Sequence, residues 1–184
     1  MAAALILIPA TPTGSSVPFW IAGLTLVAAG EALRLWSVHH IGAISRTRSN
    51  RLGPLIAAGP FALVRNPLYI GNIALWAGFA VTAQLLWLTP AIILLLALEY
   101  HAIVRWEEEL LAARLGDAYR EYARRVGRWL PAFRPAATPS TPGMSSPPGP
   151  GPATFSWRQT LFSERGTLIA IAVGFAVLYL KSRT

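Results

Sequence analysis

Leu68-Tyr69-Ile70-Gly71-Asn72-Ile73-Ala74-Leu75-Trp76-Ala77-Gly78-Phe79-Ala80-Val81-Thr82-Ala83-Gln84-Leu85-Leu86-Trp87-Leu88 is a run of 21 residues without one charge. At about 1.5 Å per residue, a helix of that length reaches across the roughly 30 Å hydrocarbon core of a bilayer. Residues 17–36 form a second such run of 20, interrupted only near its end by Glu31 and Arg34. Residues 89–104 are apolar until Glu99 and His101, and they span a bilayer if the helix continues through Arg105 and Trp106. Residues 167–180 are too short alone and need part of the preceding stretch 161–166. Residues 2–10 are apolar but lack the basic leader of a signal peptide, and read as a short membrane segment.

Whole-chain composition agrees. Of 184 residues, 54% are hydrophobic and only 13% charged, and the mean hydropathy is +0.47. A soluble domain carries about 25% charged residues, so this chain has too little polar surface to coat a water-soluble globule. The expected fold is an all-α, polytopic membrane helix bundle of about four to five membrane segments with an amphipathic helix on the cytoplasmic side. The chain has no cysteine, which removes disulfides and thiolate chemistry. The net charge of +8 would point to nucleic acid in a soluble protein. Here the charges are confined to stretches between apolar segments, which speaks against a nucleic-acid partner.

Those basic stretches set the orientation. The segment 37–66 carries Arg46, Arg48, Arg51 and Arg65 with no acid, and 105–165 carries nine arginines against six acids. Cytoplasmic loops collect Lys and Arg, so both are expected to be cytoplasmic. Eight prolines among Gly, Ser and Thr make 131–152 a linker. The expected organisation is a core over 1–131, a linker over 132–154 and a membrane segment over 155–184.

Polar residues at the ends of the apolar runs carry the candidate chemistry. Asn66-Pro67 reads as a helix start, with Asn66 as N-cap and Pro67 in the first turn. Such an end presents free N–H groups, and Arg65 adds a cation beside it. In Glu107-Glu108-Glu109, stepping about 100° per residue from a stripe centred on Leu111 puts Glu107 and Glu108 at the border of the inward face and Glu109 in water. The first two need a cation, with Arg65, Arg105 or a cationic ligand as candidates. Leu111, Leu115, Tyr119, Tyr122 and Val126 continue a helical stripe, with Gly116 as a close approach or a short break. Glu31 and Arg34, one turn apart, read as an ion pair. Glu99 and His101 read as lining a polar cavity, because ionisable groups in a membrane are costly. His39-His40 lack a third ligand at fitting spacing, so no metal site is expected.

Taken together, Gly59-Pro60-Phe61…Arg65-Asn66-Pro67-Leu68-Tyr69-Ile70-Gly71 and Glu107-Glu108…Leu111…Leu115-Gly116…Tyr119…Tyr122…Arg125-Val126-Gly127-Arg128-Trp129-Leu130-Pro131 resemble the paired motifs of the isoprenylcysteine carboxyl methyltransferase / phospholipid methyltransferase family of membrane enzymes. The resemblance covers roughly residues 30–131. It implies S-adenosylmethionine as methyl donor, bound at the cytoplasmic face of a bacterial inner membrane protein. The acceptor is a small lipophilic or lipid-like carboxylate, thiol or amine from the bilayer. By position it assigns cofactor contacts to Arg46, Gly53, Pro54, Leu55, Ile56, Phe61, Asn66, Pro67, Leu68, Tyr69 and Glu107. Catalytic roles fall to Arg65, Asn66, Glu108 and Arg105. Asn66 stands where the family has His, which removes an ionisable imidazole. Ile103 stands where prenylcysteine enzymes have a substrate-binding Arg, which argues against a prenylcysteine acceptor. The alternatives are a nicotinamide-dependent membrane reductase on a related scaffold and a non-catalytic bundle that binds a partner or small ligand.

Overall fold

A proline or a capping box opens each of the four long helices. The computed structural model describes residues 16–42, 55–131 and 156–183. Helix α1 (Val17–Ile41), α2 (Pro67–Thr82) and α3 (Thr89–Leu115) each carry Pro in the first turn, where its missing N–H removes a group that has no helical partner anyway. After α4 (Asp117–Arg125), helix α5 (Trp157–Lys181) begins with a capping box in which Ser156 Oγ accepts from the Gln159 N–H and the Gln159 side chain accepts from the Ser156 N–H. The described residues hold no strand, only one parallel bridge between Val64 and Gly127. The protein is an all-α membrane helix bundle.

Three helices, α1, α3 and α5, are long and apolar enough to cross a membrane. Their outer faces leave Ile21, Leu24, Leu94, Leu95, Leu98, Phe162 and Ile169 exposed, which water would not tolerate and lipid does. α3 runs on through Arg105 and Trp106 as the third segment requires, and α5 takes in residues 161–166 as the fourth requires.

The second run differs from its expected extent. α2 ends at Thr82 and has 16 residues, not 21. The chain turns through Ala83–Leu88, with Gln84 in the left-handed region (φ 57°), and donates the Leu85 N–H back to Ala80 O at 3.0 Å. Leu85 is fully buried in a cluster with Ala80, Ile92, Leu96 and Leu178. Burying this one leucine under the turn closes the α2–α3 hairpin, and a uniformly apolar run gives no sign of where that happens. Residues 2–10 and the linker fall outside the described residues.

α1 and α2 pack antiparallel through glycine. A Cβ on Gly71 would lie 2.7 Å from Gly30 O, and one on Gly30 would lie 2.8 Å from Gly71 O. Gly23 and Gly78 repeat the arrangement two turns away, where a Cβ on Gly78 would lie 2.8 Å from Gly23 O. Small residues let membrane helices approach closely enough for backbone contact. Gly71→Ala is therefore expected to destabilise by about 1–3 kcal/mol through overpacking. Gly166→Ala, with nothing within 4 Å, should be neutral or slightly stabilising. Thermal melts of the two purified variants check this, and equal melting temperatures would contradict it.

Below the spans, Gly116 ends α3 with φ 55° and nothing within 4 Å of its Cβ position. Of its two readings, it is the break. That break turns α4 so that Tyr119, Tyr122 and Val126 bury against Leu55, Leu111 and Leu115.

Arg34 ties α1, α2 and α5 together. Its guanidinium reaches Glu31 (3.2 Å), Glu164 (2.5 Å) and Asn72 Oδ1. The expected Glu31–Arg34 pair is present, enlarged by partners 38 and 130 residues away.

Candidate functional site

Glu107 and Glu108 leave α3 on its inner border, each half-buried, while Glu109 is exposed. Each carboxylate meets the segment around α2's start. The Tyr69 hydroxyl donates to Glu107 Oε1 at 2.9 Å, and Arg65 Nη1 stands 3.2 Å from Glu108 Oε1. Two stretches about 40 residues apart in sequence thus form one cluster.

Three further contacts fix the loop before α2. Val64 bridges to Gly127, and the Arg65 N–H donates to Gly127 O at 2.9 Å. The Tyr122 hydroxyl, buried under α4, donates to Phe61 O at 2.8 Å. Burial pushes the Tyr122 pKa above its ordinary value, so this donor keeps its proton at neutral pH. Arg128 then grips Glu108 from the other side, with Nη2 at 2.6 Å from Oε2 and Nε at 3.1 Å from both oxygens. This charge-assisted bond raises the Arg128 pKa further. Glu108 therefore sits between two arginines, with its side chain 12% exposed.

A cavity of about 300 Å³ opens beside this cluster. Arg65, Arg105, Arg120 and Arg128 line it together with Glu108, Glu109 and Tyr119. Arg105 faces it with an exposed side chain and forms no ion pair among the described residues. The partner of Glu108 is thus Arg65, as one expectation had it, joined by Arg128 instead of Arg105.

The other expected positions fall as follows. Phe61, Pro60 and Pro67 are buried in the loop and the first turn of α2, and Leu55 packs under α4. Ile56, Leu68 and Tyr69 are half-buried. Tyr69 also packs on Tyr100 of α3, with centroids 4.8 Å apart. Arg46, Gly53 and Pro54 lie outside the described residues.

One expectation is corrected. Asn66 occupies the N-cap position but its side chain makes no capping bond; Nδ2 donates to Arg128 O at 3.2 Å instead. The bridge to Gly127 brings an unpaired carbonyl within reach, and the amide takes it. Glu99 is exposed on α3, while His101 is half-buried and accepts from Trp129 Nε1 at 3.4 Å. The helix turns the two residues to different sides. His39 stacks on Trp157 at 4.3 Å, and among the described residues no cluster of three metal-binding side chains exists.

Sequence reasoning missed Arg128 and Tyr100. Arg128 stood within the quoted exit motif without a role, and the unpaired charge of Glu108 beside only one nearby arginine was the signal that could have found it. Nothing in the apolar context of Tyr100 marks it as Tyr69's neighbour.

The chain is 34% identical over 113 residues to the cobalt-zinc-cadmium resistance protein CzcN of Cupriavidus metallidurans. It is 31% identical over 113 residues to the nickel-cobalt-cadmium resistance protein NccN of Alcaligenes xylosoxydans xylosoxydans. Each alignment covers 61% of this chain and 46% of the relative, so the chain spans less than half the length of the curated relatives it matches. No solved structure matches. The model of the phospholipid methyltransferase family matches residues 19–118, more than half of the chain and the span that holds Arg65, Tyr69, Glu107 and Glu108. This chain belongs to the phospholipid methyltransferase family.

Proposed function

We propose that the protein is an integral membrane methyltransferase that uses S-adenosylmethionine and acts on a small lipophilic or lipid-like acceptor. Its site faces the cytoplasm of a bacterial inner membrane, where the arginine-rich stretches collect. The observation that carries the reading is the Tyr69–Glu107 hydrogen bond beside the Arg65–Glu108–Arg128 cluster. It joins the two halves of the motif at the polar end of the spans.

The residues present fit that donor. Glu107 gives one oxygen to Tyr69, and its second has no hydrogen-bond partner among the described residues. A half-buried carboxylate with a spare oxygen suits hydroxyls or a cation, and the Tyr69–Tyr100 pair offers aromatic faces to a positive centre. Arg105, exposed on the cavity, suits a carboxylate. Bound there, S-adenosylmethionine supplies a methyl group activated by its sulfonium.

In this reading the chain's own residues bind, align and exclude water, since displacement at a methyl carbon chiefly needs in-line placement. Glu107, Tyr69, Phe61, Pro67, Leu68, Leu55 and Ile56 form the donor side, joined by Arg46, Gly53 and Pro54 on the resemblance. Glu108, held by two arginines, positions the loop that carries Arg65 and Asn66. Asn66 serves as a hydrogen-bonding group, not a base.

Purified protein in lipid nanodiscs, given S-adenosylmethionine labelled in its methyl group and an extract of bacterial lipids, is expected to move label into the organic phase. Absence of label transfer to any lipid fraction would contradict the reading. The relatives' names add a cellular readout: loss of the protein should alter tolerance to cobalt or cadmium.

A further inference from the structure

One carboxyl of the spans faces the bilayer core. At about 1.5 Å per residue, Glu99 lies about 15 Å past Thr89 and about 10 Å short of Trp106 along α3. Trp106 is 62% exposed and suits the level where indoles meet the membrane interface. The Glu99 backbone is therefore near mid-bilayer. Helical side chains lean toward the helix N-terminus, here the Thr89 end, so the carboxyl leans away from the nearer membrane surface and does not snorkel to it. It is exposed, and it makes no hydrogen bond or ion pair among the described residues.

Glu31 and Glu164 on the neighbouring spans both meet Arg34. Ionisable groups at such depth pair with one another or face water-filled cavities, because hydrocarbon does not solvate them. Glu99 breaks that pattern on a face shaped for a helix. Leu95, Leu98 and Ala102 lie within about 100° of it around the axis and are exposed too. Ala102 leaves room for a second backbone to come close. Ile92 and Leu96, buried in the core, border the strip on the other side.

The missing group decides the occupant. Lipid tails bring no charge or donor to the carboxyl. A second copy in the same membrane orientation brings no ready cation to that depth from the described residues. Its Arg34 is held by Glu31 and Glu164, and its Arg165 turns back toward the start of α5 and donates to Phe162 O at 3.0 Å.

We infer that α3 seats a membrane-spanning helix of another protein, one that carries a lysine or arginine at mid-bilayer depth and pairs it with Glu99. The inference stands apart from the methyltransferase reading. It places the partner on the helix whose far end carries Glu107 and Glu108.

The test uses the full chain in vesicles of zwitterionic diacyl lipid. The chain has no cysteine, so Leu86→Cys in the exposed α2–α3 turn takes a single donor fluorophore. The probe is an acceptor-labelled leucine-alanine peptide of about 20 residues with one central lysine; its control has leucine there. Energy transfer to the lysine peptide should half-saturate at about fivefold lower peptide-to-lipid ratio than to the control. Glu99→Leu should remove that preference. Ala102→Trp, which keeps the carboxyl and fills the strip, should remove it too. Both substitutions lie on the exposed face, so both variants should melt with the wild type. Equal transfer to the two peptides overturns the inference, and so does a lysine preference that survives either substitution. Energy transfer between donor- and acceptor-labelled copies of the chain that Glu99→Leu abolishes makes a second copy the occupant and overturns the choice of partner.

Discussion

Glu108→Ala is expected to be the most damaging single substitution at the base of the bundle, lowering stability by roughly 3 kcal/mol. Glu108 neutralises Arg65 from the α2 side and Arg128 from the segment after α4, at 3.2 and 2.6 Å. The Arg65 side chain is 14% exposed and its Nε is already buried without a hydrogen-bond partner. Removing the carboxylate leaves that guanidinium with uncompensated charge in a poorly solvated place, which costs more than the pair's own attraction. Arg128, more exposed, recovers part of its loss from water. Arg128→Ala should therefore cost about 1 kcal/mol, and the double variant should cost less than the sum of the two singles. Glu108→Gln keeps hydrogen bonding and should fall between. Melting temperatures of the four purified variants against the wild type measure this; a Glu108→Ala protein that melts with the wild type would remove the cluster from the account.

The second large effect concerns binding and leaves stability nearly untouched. Glu107 has a single hydrogen-bond partner among the described residues, Tyr69, so Glu107→Ala strands only a tyrosine hydroxyl that lies beside Tyr100. Its expected cost falls on the donor: a hydrogen bond to a charged group is worth about 1.5–3 kcal/mol, which is roughly 10- to 100-fold in affinity. Tyr69→Phe keeps the ring on Tyr100 and loses only the hydroxyl, so it should weaken donor binding by less than tenfold. If Tyr69→Phe is the worse of the two, the carboxylate is not the group that meets the donor.

The contrast between Glu107 and Glu108 shows what the sequence made legible. Helical stepping from Leu111 put both on the inner border and Glu109 in water, and so they stand. Gly116, inside an otherwise continuous stripe, read as either a close approach or a short break, and the structure makes it the break. Apolar length marked residues 17–36 and 68–88 outright and 89–104 and 167–180 only if extended, since crossing a bilayer imposes a minimum apolar length; the extensions are present in α3 and α5, whereas α2 stops short.

Long-range partners were not legible. Arg128 reaches Glu108 only because Gly127 bridges Val64, and Glu164 reaches Arg34 across the whole linker. Nothing local encodes either meeting. The end of α2 was hidden for a different reason: alanine, leucine and tryptophan continue past Thr82, and only the tertiary burial of Leu85 decides that the helix stops. Asn66 shows local preference overruled. Its residue type favours an N-cap, yet a carbonyl brought in by a distant bridge takes its amide.

Calorimetric titration of S-adenosylmethionine into the purified protein, wild type against Glu107→Gln, bears most directly on the claim that the two motif halves hold one donor. Saturable binding by the wild type, weakened at least about tenfold in a variant that melts normally, is the predicted result. No saturable binding, or equal affinity in both proteins, would contradict it.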